Sequence, residues 1–413
     1  MEVAGDVVIV GGGVAGLATS LGLHRLGIRS LVLESSDDLR SAGYALTAFT
    51  NAWKALDALG IGNFMRQHHK RLNGNLTTST ISGLQTSELS FEAKGKQGDH
   101  EVRCVSRKLL LEALAKELPI GNIRYSSKVV CIEESGFFKL VHLADGTILK
   151  TKVLIGCDGV NSVVARWLGF KKPAFAGRFA IRGCVDFKGS HGFEPKFMQF
   201  FGTGIRSGAI PVDDSTVYWY VTWTPSNKEE EQEQDPAKIK QLVLSRLGKV
   251  PDQVRALIEN YELEGFVPLP LRYRHPWELL WGNISKGNVC VAGDALHPMT
   301  ADMGQGACSA LEDSVVLARC LAEALLQEPN GKTKEQCEEG KEENKRIELG
   351  LKKYAKERTW RSIEIISVSY IAGFIQESSG KMMTLMRDKA LAGFLSGFLL
   401  KIPDFDCGKL TIS

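Results

Sequence analysis

The sequence has no apolar run long enough to cross a membrane, since no segment approaches the roughly 18 unbroken apolar residues of a membrane helix. The nearest run is ALAGFLSGFLL at 390–400, where we expect a docked terminal helix rather than a membrane contact. A strand-like run begins within a few residues of Met1, and the basic and apolar regions of a signal peptide do not precede it. We therefore expect a cytoplasmic protein without an integral membrane segment.

The sequence also lacks a strong excess of charge, because 51 lysines and arginines stand against 48 aspartates and glutamates, a formal net charge of +3. So small a charge over 413 residues gives no reason to expect nucleic acid or an anionic membrane as a partner. The apolar content of 44% and the charged content of 24% are ordinary for a globular protein. These values argue against global disorder and allow a large core.

The nine cysteines form no CxxC pair. Cys157, Cys290 and Cys308 lie in apolar or glycine-rich runs, where cysteine usually acts as a small hydrophobic residue. An odd count without paired spacing argues against a disulfide framework and against a zinc site. We expect reduced, buried thiols and no bound metal.

A strand, a glycine-rich turn and a helix open the chain. The apolar run at 6–10 is followed by GGGVAG at 11–16, then by a helical pattern at 17–26 that ends at Gly27. A second strand at 30–33 ends at Glu34. The whole stretch predicts a βαβ unit.

The glycines of this unit fit the spacing of a dinucleotide-binding turn. Gly11, Gly13 and Gly16 would permit a tight turn, the approach of a pyrophosphate and close packing of helix on strand. The helix N-terminus would offer N–H groups and partial positive charge to the phosphates. Glu34 could accept hydrogen bonds from an adenosine ribose, and no nearby arginine replaces it, so FAD or NAD is favoured over NADP. The alternative is a tight glycine turn without a ligand.

A second motif, VLIGCDGVNSVVAR, occupies 153–166. Asp158 follows a buried strand, and ligands of open α/β sheets lie at the carboxyl ends of strands. The alternative is structural, with Ser162 as a helix N-cap and Asp158 as a turn residue.

The third motif, VCVAGDALHPMTADMGQGACSALED at 289–313, predicts a strand, a glycine-rich loop and a helix. Asp294 could accept hydrogen bonds from ribityl hydroxyls, and Gly304 and Gly306 would let the backbone lie flat against a planar ring. The helix beginning near Ala307 would stabilise negative charge on a reduced flavin and raise its reduction potential. His297 either orders the loop or acts as a base, and Pro298 stiffens the loop.

The middle and the end of the chain differ from these motifs. Alternating, aromatic-rich patterns at 178–224 predict an antiparallel sheet, and the acidic run KEEEQEQD at 228–235 predicts a solvated loop. The charged stretch 335–346 is either a loop or an exposed helix, and a long helical tail follows from about residue 347.

The order of these elements predicts an α/β fold, in which a discontinuous Rossmann-like FAD-binding domain carries an inserted antiparallel β-sheet substrate domain and a C-terminal helical segment. The predicted boundaries place the FAD-binding domain at 1–75, 102–177 and 271–345, the substrate domain at 76–101 and 178–270, and the helical segment at 346–413.

The three motifs together resemble those of a known family. GxGxxG with Glu34, Cys-Asp-Gly at 157–159, and Gly-Asp at 293–294 with the following His-Pro and Gly-Gln-Gly have the order and spacing of single-component FAD-dependent aromatic hydroxylases, the group A flavoprotein monooxygenases. The resemblance covers about residues 5–360. The stretch 39–59 and the sequence Arg-Tyr-Arg at 272–274 are most similar to plant salicylate-hydroxylase-like monooxygenases, and zeaxanthin epoxidase is a more distant relative.

The resemblance implies a role for each matching residue. Arg40 would lie in a mobile segment near the isoalloxazine ring, Arg107 would contact the FAD chain, and Asp158 would help to hold FAD and shape the approach of NAD(P)H. Arg40, His297 and Pro298 are the catalytic candidates. The remaining cofactor-binding candidates are Gly11, Gly13, Gly16 and Glu34 for the ADP half, Asp294 for the ribityl chain, Gly304, Gln305, Gly306 and Ala307 beside the ring, and Val14, Ala15, Val130 and Gly293 without an assigned part of FAD.

The resemblance further implies a monooxygenase reaction. NADPH or NADH would bind transiently and reduce FAD, in agreement with the absence of a second GxGxxG in the sequence. Reduced flavin would then react with O2, and a C4a-hydroperoxide would insert one oxygen atom into an aromatic or other unsaturated ring. The substrate would be a small aromatic or phenolic molecule and the enzyme a possible homodimer. Six aromatic residues would either line its pocket or fill the core: Phe197, Phe200, Phe201, Tyr218, Trp219 and Tyr220.

Three alternatives accompany this hypothesis. The first is an epoxidase that uses the same flavin chemistry. The second is a flavin-binding regulatory protein with little turnover, motivated by Ala301, which stands where the family commonly has proline. The third, an NAD-dependent dehydrogenase, is disfavoured because it would leave the Gly-Asp loop without a purpose.

Overall fold

The computed structural model describes residues 2–3, 5–39, 44–96, 98–326, 336–377 and 392–411. The strands, in chain order, are β1 (Glu2–Val3), β2 (Val7–Val10), β3 (Ser30–Leu33), β4 (Ala45–Ala48), β5 (Gly74–Ser79), β6 (Gln85–Ser90), β7 (Lys94–Gly95), β8 (Gly98–Asp99), β9 (Arg103–Ser106), β10 (Ile123–Arg124), β11 (Val129–Ser135), β12 (Phe138–Leu143), β13 (Ile148–Thr151), β14 (Val153–Gly156), β15 (Ala174–Asp186), β16 (Lys196–Phe201), β17 (Ile205–Pro211), β18 (Thr216–Trp223), β19 (Leu269–Tyr273), β20 (Ser285–Lys286) and β21 (Val289–Val291).

The helices are α1 (Val14–Arg25), α2 (Thr50–Leu59), α3 (Gly62–His68), α4 (Arg107–Lys116), α5 (Val163–Trp167), α6 (Lys228–Gln232), α7 (Pro236–Arg246), α8 (Asp252–Glu259), α9 (Glu278–Trp281), α10 (Gly306–Leu325), α11 (Gln336–Glu377) and α12 (Ala392–Lys401). None of the helices in the described ranges is both long enough and apolar enough to span a bilayer.

A six-stranded sheet forms the centre of the first domain, with the order β10-β3-β2-β14-β21-β20. Its strands are parallel except for the antiparallel pair of β20 and β21. The four residues of β2 are fully buried, as expected of a strand covered on both faces. The carboxyl ends of β2, β3, β14 and β21 therefore meet at one edge, and this edge brings together all three motifs found in the sequence.

The second sheet has seven strands in the order β19-β15-β18-β17-β16-β5-β6. Each neighbouring pair is antiparallel, as predicted, except that β16 runs parallel to β5. A parallel pair needs a long connection, and here the chain passes through the first domain between the two strands. The predicted domain boundaries after residues 75 and 270 fall inside β5 and β19.

One face of this second sheet packs against α7 and α8 and forms a hydrophobic core of the second domain. Ile181, Trp219 and Trp223 from the sheet are buried with Val243 and Leu257 of α7 and α8. Because side chains alternate along a strand, the residues between them lie on the opposite face, which we call the inner face. This alternation decides which aromatic residues are available to a ligand.

The acidic run at 228–235 is not entirely a loop, because α6 occupies Lys228–Gln232. The Asn227 side chain accepts a 2.9 Å hydrogen bond from the N–H of Glu230 and caps the helix. Glutamates in the first turn are stabilised by the positive end of the helix dipole. The charge pattern alone predicted the solvation of this segment but missed the cap.

The C-terminal segment is helical where it is described. The charged stretch predicted as a loop or an exposed helix is the beginning of α11, apart from residue 335, which lies outside the described residues. α11 packs against α10, and the Lys353 Nζ atom at their exposed margin lies 2.6 Å from a Glu323 carboxylate oxygen. The tail helix therefore covers the first domain.

Candidate functional site

The glycines of the first motif are required by close contacts between the turn and β14. Gly11 has a φ of +103°, a conformation that favours glycine. A Cβ atom on Gly11 would collide with the carbonyl of Cys157, and one on Gly16 would collide with the carbonyl of Gly11. The turn consequently lies flat on the sheet, as the motif predicts.

The space in front of α1 is open. A Cβ atom on Gly13 would meet no heavy atom within 4 Å, and no described side chain caps the helix at this residue. Val14 and Ala15 begin the helix and are buried. The first N–H groups of α1 therefore face a volume in which an anionic phosphate can be bound.

The carboxylate of Glu34 is held firmly beside this turn. Its Oε2 atom accepts a 2.8 Å hydrogen bond from the N–H of Gly12, and its Oε1 atom accepts one of 2.8 Å from the N–H of Ser36. The carbonyl of Glu34 accepts from the N–H of Ser127, which leads into β11, where Val130 is exposed. Glu34 and Val130 thus flank the end of β3, where the adenosine of a dinucleotide would lie.

Asp158 and Ser162 organise the second motif. The Ser162 hydroxyl donates to Asp158 Oδ1 and accepts a 2.8 Å hydrogen bond from the N–H of Ala165, which makes Ser162 the N-cap of α5. Asp158 Oδ2 accepts from the N–H of Val163 at 2.6 Å. Burial raises the pKa of Asp158, while these hydrogen bonds oppose the rise. The structural interpretation of Ser162 is confirmed, and Asp158 remains at the strand end beside the cleft.

Asp294 borders a space that we call the cleft, with protein atoms around its carboxylate and one side open. Its side chain is exposed, yet burial among surrounding protein atoms raises its pKa, against the charges of His297, Arg107 and Arg182. These two observations agree if the carboxylate is enclosed on most sides and open on one. Within the described part of the chain it has no hydrogen-bond partner, so it is available to accept from the hydroxyls of a ligand.

The N-terminus of α10 borders the same cleft. Gly304 has a φ of +63° and ends a single 3-10 turn, after which α10 begins at Gly306 without a side-chain cap among the described residues. A Cβ atom on Gly306 would lie 3.8 Å from Asp294 Oδ1. Gln305 and Ala307 flank this position, so a carboxylate and the positive end of a helix face one space.

His297 is fully buried and bonded within the protein. Its Nε2 atom lies 2.6 Å from Asp313 Oδ2 and 3.2 Å from the Ser309 hydroxyl. Asp313 Oδ2 also accepts a 2.8 Å hydrogen bond from the N–H of Gly293. The geometry fits the loop-ordering interpretation of His297, and catalytic roles for His297 and the adjacent Pro298 stay predictions.

Two arginines predicted to meet the cofactor differ in what the structure shows. Arg40 lies outside the described residues. Arg107 begins α4, where the Ser106 hydroxyl caps the helix by accepting from the N–H of Leu109 at 3.3 Å. The charge of Arg107 acts on Asp294 across the cleft, which places it near the predicted FAD chain.

A buried ion cluster lies between the two domains, and no pattern in the sequence indicates it. Asp302 accepts hydrogen bonds from Arg178 at 3.0 and 2.7 Å and from Arg206 at 3.0 Å. Burial alone would raise the pKa of Asp302, but the two guanidinium groups outweigh it and hold the pKa below its usual value. Asp302 belongs to the loop at 293–304, which we call the flavin loop, and both arginines come from the inner face of the second sheet.

A third arginine of this face, Arg182, has no hydrogen-bond or ion-pair partner in the described ranges. It lies four residues beyond Arg178 on β15, and hence on the same face, directly opposite Tyr220 of β18. Arg182 is exposed, and its charge acts on Asp294 and on Tyr218. Among the described residues it is therefore an unpaired cation beside Tyr220, and its charge reaches Asp294 of the flavin loop. An isolated arginine in a strand carries no motif by which the sequence could reveal it.

The six aromatic residues predicted to line the pocket are divided between the two faces of the second sheet. Trp219 and Phe200 belong to the core behind the sheet. Tyr220 lies on the inner face, with its ring centroid 6.2 Å from that of Tyr218 and 6.4 Å from that of Phe197. Phe201 shares the inner face by alternation, and the Arg206 guanidinium lies 5.7 Å from its ring centroid.

The residues at this edge fit FAD in charge and shape. An uncapped helix beside open space suits a pyrophosphate, and Glu34 would lie at the adenosine end. Asp294 and the N-terminus of α10 lie at the other end, beside the aromatic inner face. No group of histidine, cysteine, aspartate or glutamate in the described ranges is arranged to hold a metal ion.

Comparison with known proteins identifies the family of the chain. The family described as FAD binding domain matches residues 4–337. Monooxygenase 2 of Arabidopsis thaliana is 54% identical over 406 residues, which is 98% of each chain. Monooxygenase 1 of the same plant is 36% identical over 407 residues, covering 98% of this chain and 99% of its own.

A solved structure shows the same fold at low sequence identity. Klebsiella pneumoniae HpxO complexed with FAD and uric acid superimposes with a TM-score of 0.81 at 21% identity, covering 98% of both chains. The discontinuous first domain with its inserted sheet and helical end is thereby confirmed as an established architecture.

Proposed function

The chain belongs to the FAD-binding-domain family of group A flavin monooxygenases, and we propose that it uses NADPH or NADH to insert one oxygen atom of O2 into an aromatic or other unsaturated ring. The observation that carries the proposal is the cleft in which Asp294 and the N-terminus of α10 face the aromatic inner face. Bound FAD would supply the reduction and oxygen activation. The protein would supply position, electrostatics and a site shielded from water.

Each end of the cofactor would be held by residues already in position. Glu34 and the first turn of α1 would hold the adenosine and the pyrophosphate, and Asp294 would accept from the ribityl chain. The N–H groups at the start of α10 would stabilise negative charge on the reduced ring, which favours reduction. These roles follow from the open volume at Gly13 and the open side of Asp294.

The substrate proposed here is a small aromatic compound that carries an acidic group. Arg182 would pair with that group, because it is exposed, unpaired in the described part of the chain and on the same face as Tyr220. A hydrogen bond to a charged group contributes about 1.5–3 kcal/mol, roughly 10- to 100-fold in affinity. The rings of Phe197 and Tyr218 would contact the apolar part of the substrate.

The test starts from purified protein, which should be yellow. Flavin reduction by NADH and by NADPH is followed by stopped-flow absorbance with aromatic acids and with their uncharged amides. We expect acids to accelerate reduction or NAD(P)H oxidation more than amides, and Arg182→Met to remove the preference while the FAD content is unchanged. Equal responses to acids and amides in the wild type would contradict the substrate class.

Two further outcomes separate the alternatives. Mass spectrometry of the product distinguishes a hydroxylated ring from an epoxide. A protein that binds FAD but oxidises no NAD(P)H with any member of a broad aromatic panel would favour the regulatory alternative. Colourless protein that cannot be reconstituted with FAD would overturn the proposal. A cytoplasmic location and a homodimer remain predictions.

A further inference from the structure

One face of α11 lies along the flavin loop and the two elements that flank it, β21 and α10. The contacting residues recur at helical spacing, so they share one face of the helix. They are Tyr354, whose hydroxyl donates to the carbonyl of Val291 at 3.0 Å, then Arg358, Arg361, Ser369, whose hydroxyl lies 3.8 Å from Met299 Sδ, and Gly373. This helix lies mostly beyond residue 337, where the family match ends.

Arg358 reaches the loop through Asp313. Its Nε atom donates to Asp313 Oδ1 at 2.6 Å, while Oδ2 of the same carboxylate holds His297 and the N–H of Gly293. The side chains of Arg358, Asp313 and His297 are all fully buried. Gly293 directly precedes Asp294, so the carboxylate that orders the start of the loop is itself held by α11.

Arg361 reaches the end of the loop through Glu312. Its Nη2 and Nε atoms donate to Glu312 at 2.8 and 3.1 Å. Asn51 of α2 donates to Glu312 Oε1 at 2.6 Å and to Gln305 Oε1 at 2.9 Å. Gln305 is the last residue before α10, so this chain of contacts ends at the helix N-terminus that faces the cleft.

Gly373 allows α11 to approach the middle of the loop. A Cβ atom there would collide with the carboxylate of Asp302 and the guanidinium of Arg178. The helix backbone therefore packs directly on the ion pair that joins the flavin loop to the second sheet. With Arg358 and Arg361, it makes three separate points of support for one loop.

We infer that Arg358 and Arg361 are positioning residues for FAD, and that docking of α11 and binding of FAD stabilise each other. The inference rests on FAD binding at the site proposed above, but not on turnover. Buried charges remain in place only when they are paired. Loss of Arg358 would remove a cation from both Asp313 and Glu312, and loss of Arg361 would leave Glu312 with Arg358 alone, so either change would shift the carboxylates that hold the loop. Coupling between two sites is reciprocal, so the cofactor must also stabilise the docked helix.

The first experiment compares Arg358→Met and Arg361→Met with Lys353→Met. Lys353 lies on the same helix and also pairs with α10, but at the surface. We expect the dissociation constant for FAD, measured by quenching of flavin fluorescence, to rise about tenfold in the arginine variants. The control should stay within about twofold of the wild type, since exposed ion pairs contribute little. Unchanged FAD affinity in folded arginine variants would overturn the inference.

A purely structural role predicts a different result. It would lower the melting temperature of apoprotein and holoprotein equally, whereas a positioning role also reduces the rise in melting temperature produced by FAD. Tyr354→Phe removes one hydrogen bond and leaves no unpaired charge, so we expect it to fold. Its rise in melting temperature with FAD should be reduced, but by less than in the arginine variants.

The second experiment needs no variant. Hydrogen exchange of the wild type is measured over residues 354–373 without FAD and at saturating FAD. We expect slower exchange with FAD, whereas equal exchange in both states would overturn the inference. A protein that shows this protection but oxidises no NAD(P)H would contradict the proposed function and leave the inference standing.

Discussion

The Arg206 guanidinium and the Asp302 carboxylate form a buried ion pair across the two domains, with Nη1 3.0 Å from Oδ1. Arg206 Nη2 also donates to the carbonyl of Asp302 at 3.1 Å, and Arg178 donates one hydrogen bond to each carboxylate oxygen of Asp302. Asp302 belongs to the flavin loop, and both arginines belong to the inner face. The relative position of the proposed cofactor and substrate surfaces is therefore fixed by this carboxylate.

Replacing Arg206 tests the strength of this connection. Arg206→Met leaves Asp302 with one guanidinium in a buried site, and breaking a buried pair costs about 3–5 kcal/mol. Because Arg178 still pairs with Asp302, we expect the free energy of unfolding in urea to fall by less than this amount but by more than about 1 kcal/mol, the upper value for a surface pair. Lys352→Met serves as the control, because Lys352 pairs with Glu348 at the surface and its loss should cost about 0.3–0.5 kcal/mol. Equal effects of both changes would show that the ion pair contributes no more than a surface pair.

Acid should destabilise the protein through three buried carboxylates, those of Asp302, Glu312 and Asp313. Burial would raise each pKa, but neighbouring cations outweigh it and hold all three below their usual values. A depressed pKa gives stability that is complete above the pKa of the unfolded chain, about 4, and is lost as the pH falls through the pKa of the folded protein. We expect the free energy of unfolding to decrease below about pH 4–5. Asp302→Asn should flatten this dependence, and an unchanged slope would contradict the assignment.

The parts of the site that could be predicted from the sequence are those determined by residues close together along the chain. The GxGxxG spacing predicts a tight turn, and this turn requires glycine at positions 11 and 16. Gly27 has the positive φ expected directly after a helix. Glu34 follows a strand whose end is set by its apolar run. In each case a local backbone conformation limits the choice of residue, so the pattern can be interpreted without the fold.

The ion pairs could not be predicted, because their partners are far apart in sequence. Arg178 and Arg206 meet Asp302 only after the inserted sheet has packed on the first domain. An arginine in a strand or in a charged helix gives no sign of its partner, and Arg358 is one of many charged residues in the tail. The face of each aromatic residue was likewise unknown until the strand register was known.

Two glycines of the first motif should respond differently to alanine. Gly16→Ala places a Cβ atom against the carbonyl of Gly11 and should lower the melting temperature of the apoprotein. Gly13→Ala meets no heavy atom within 4 Å, so the apoprotein should melt as the wild type does. The added methyl group would instead occupy the space proposed for the pyrophosphate, and we expect FAD to bind at least about tenfold more weakly. Wild-type FAD affinity in Gly13→Ala would place the pyrophosphate elsewhere.

Position 301 should tolerate proline, the residue that the family commonly has there. Thr300 has φ −68° and ψ 150°, the extended conformation preferred before proline, and Ala301 begins a 3-10 turn whose usual φ is close to that of proline. Fixing this angle reduces the freedom of the unfolded chain, so Ala301→Pro should raise the free energy of unfolding by about 0.4–1 kcal/mol. A fall in stability would mean that the N–H of Ala301 or its backbone angle is needed.

The same variant tests whether alanine at position 301 loosens the flavin loop enough to limit turnover. If a looser flavin loop limits turnover, Ala301→Pro should bind FAD more tightly and oxidise NAD(P)H faster with an aromatic substrate. If α11 and the Asp302 ion pairs already hold the loop, both quantities should stay within about twofold of the wild type, as expected for a change that mainly affects the unfolded chain. We expect the second result, because Arg358 supports the start of the loop through Asp313 and Asp302 fixes its end. Fluorescence titration with FAD and steady-state NAD(P)H oxidation measure the two quantities on the same preparation.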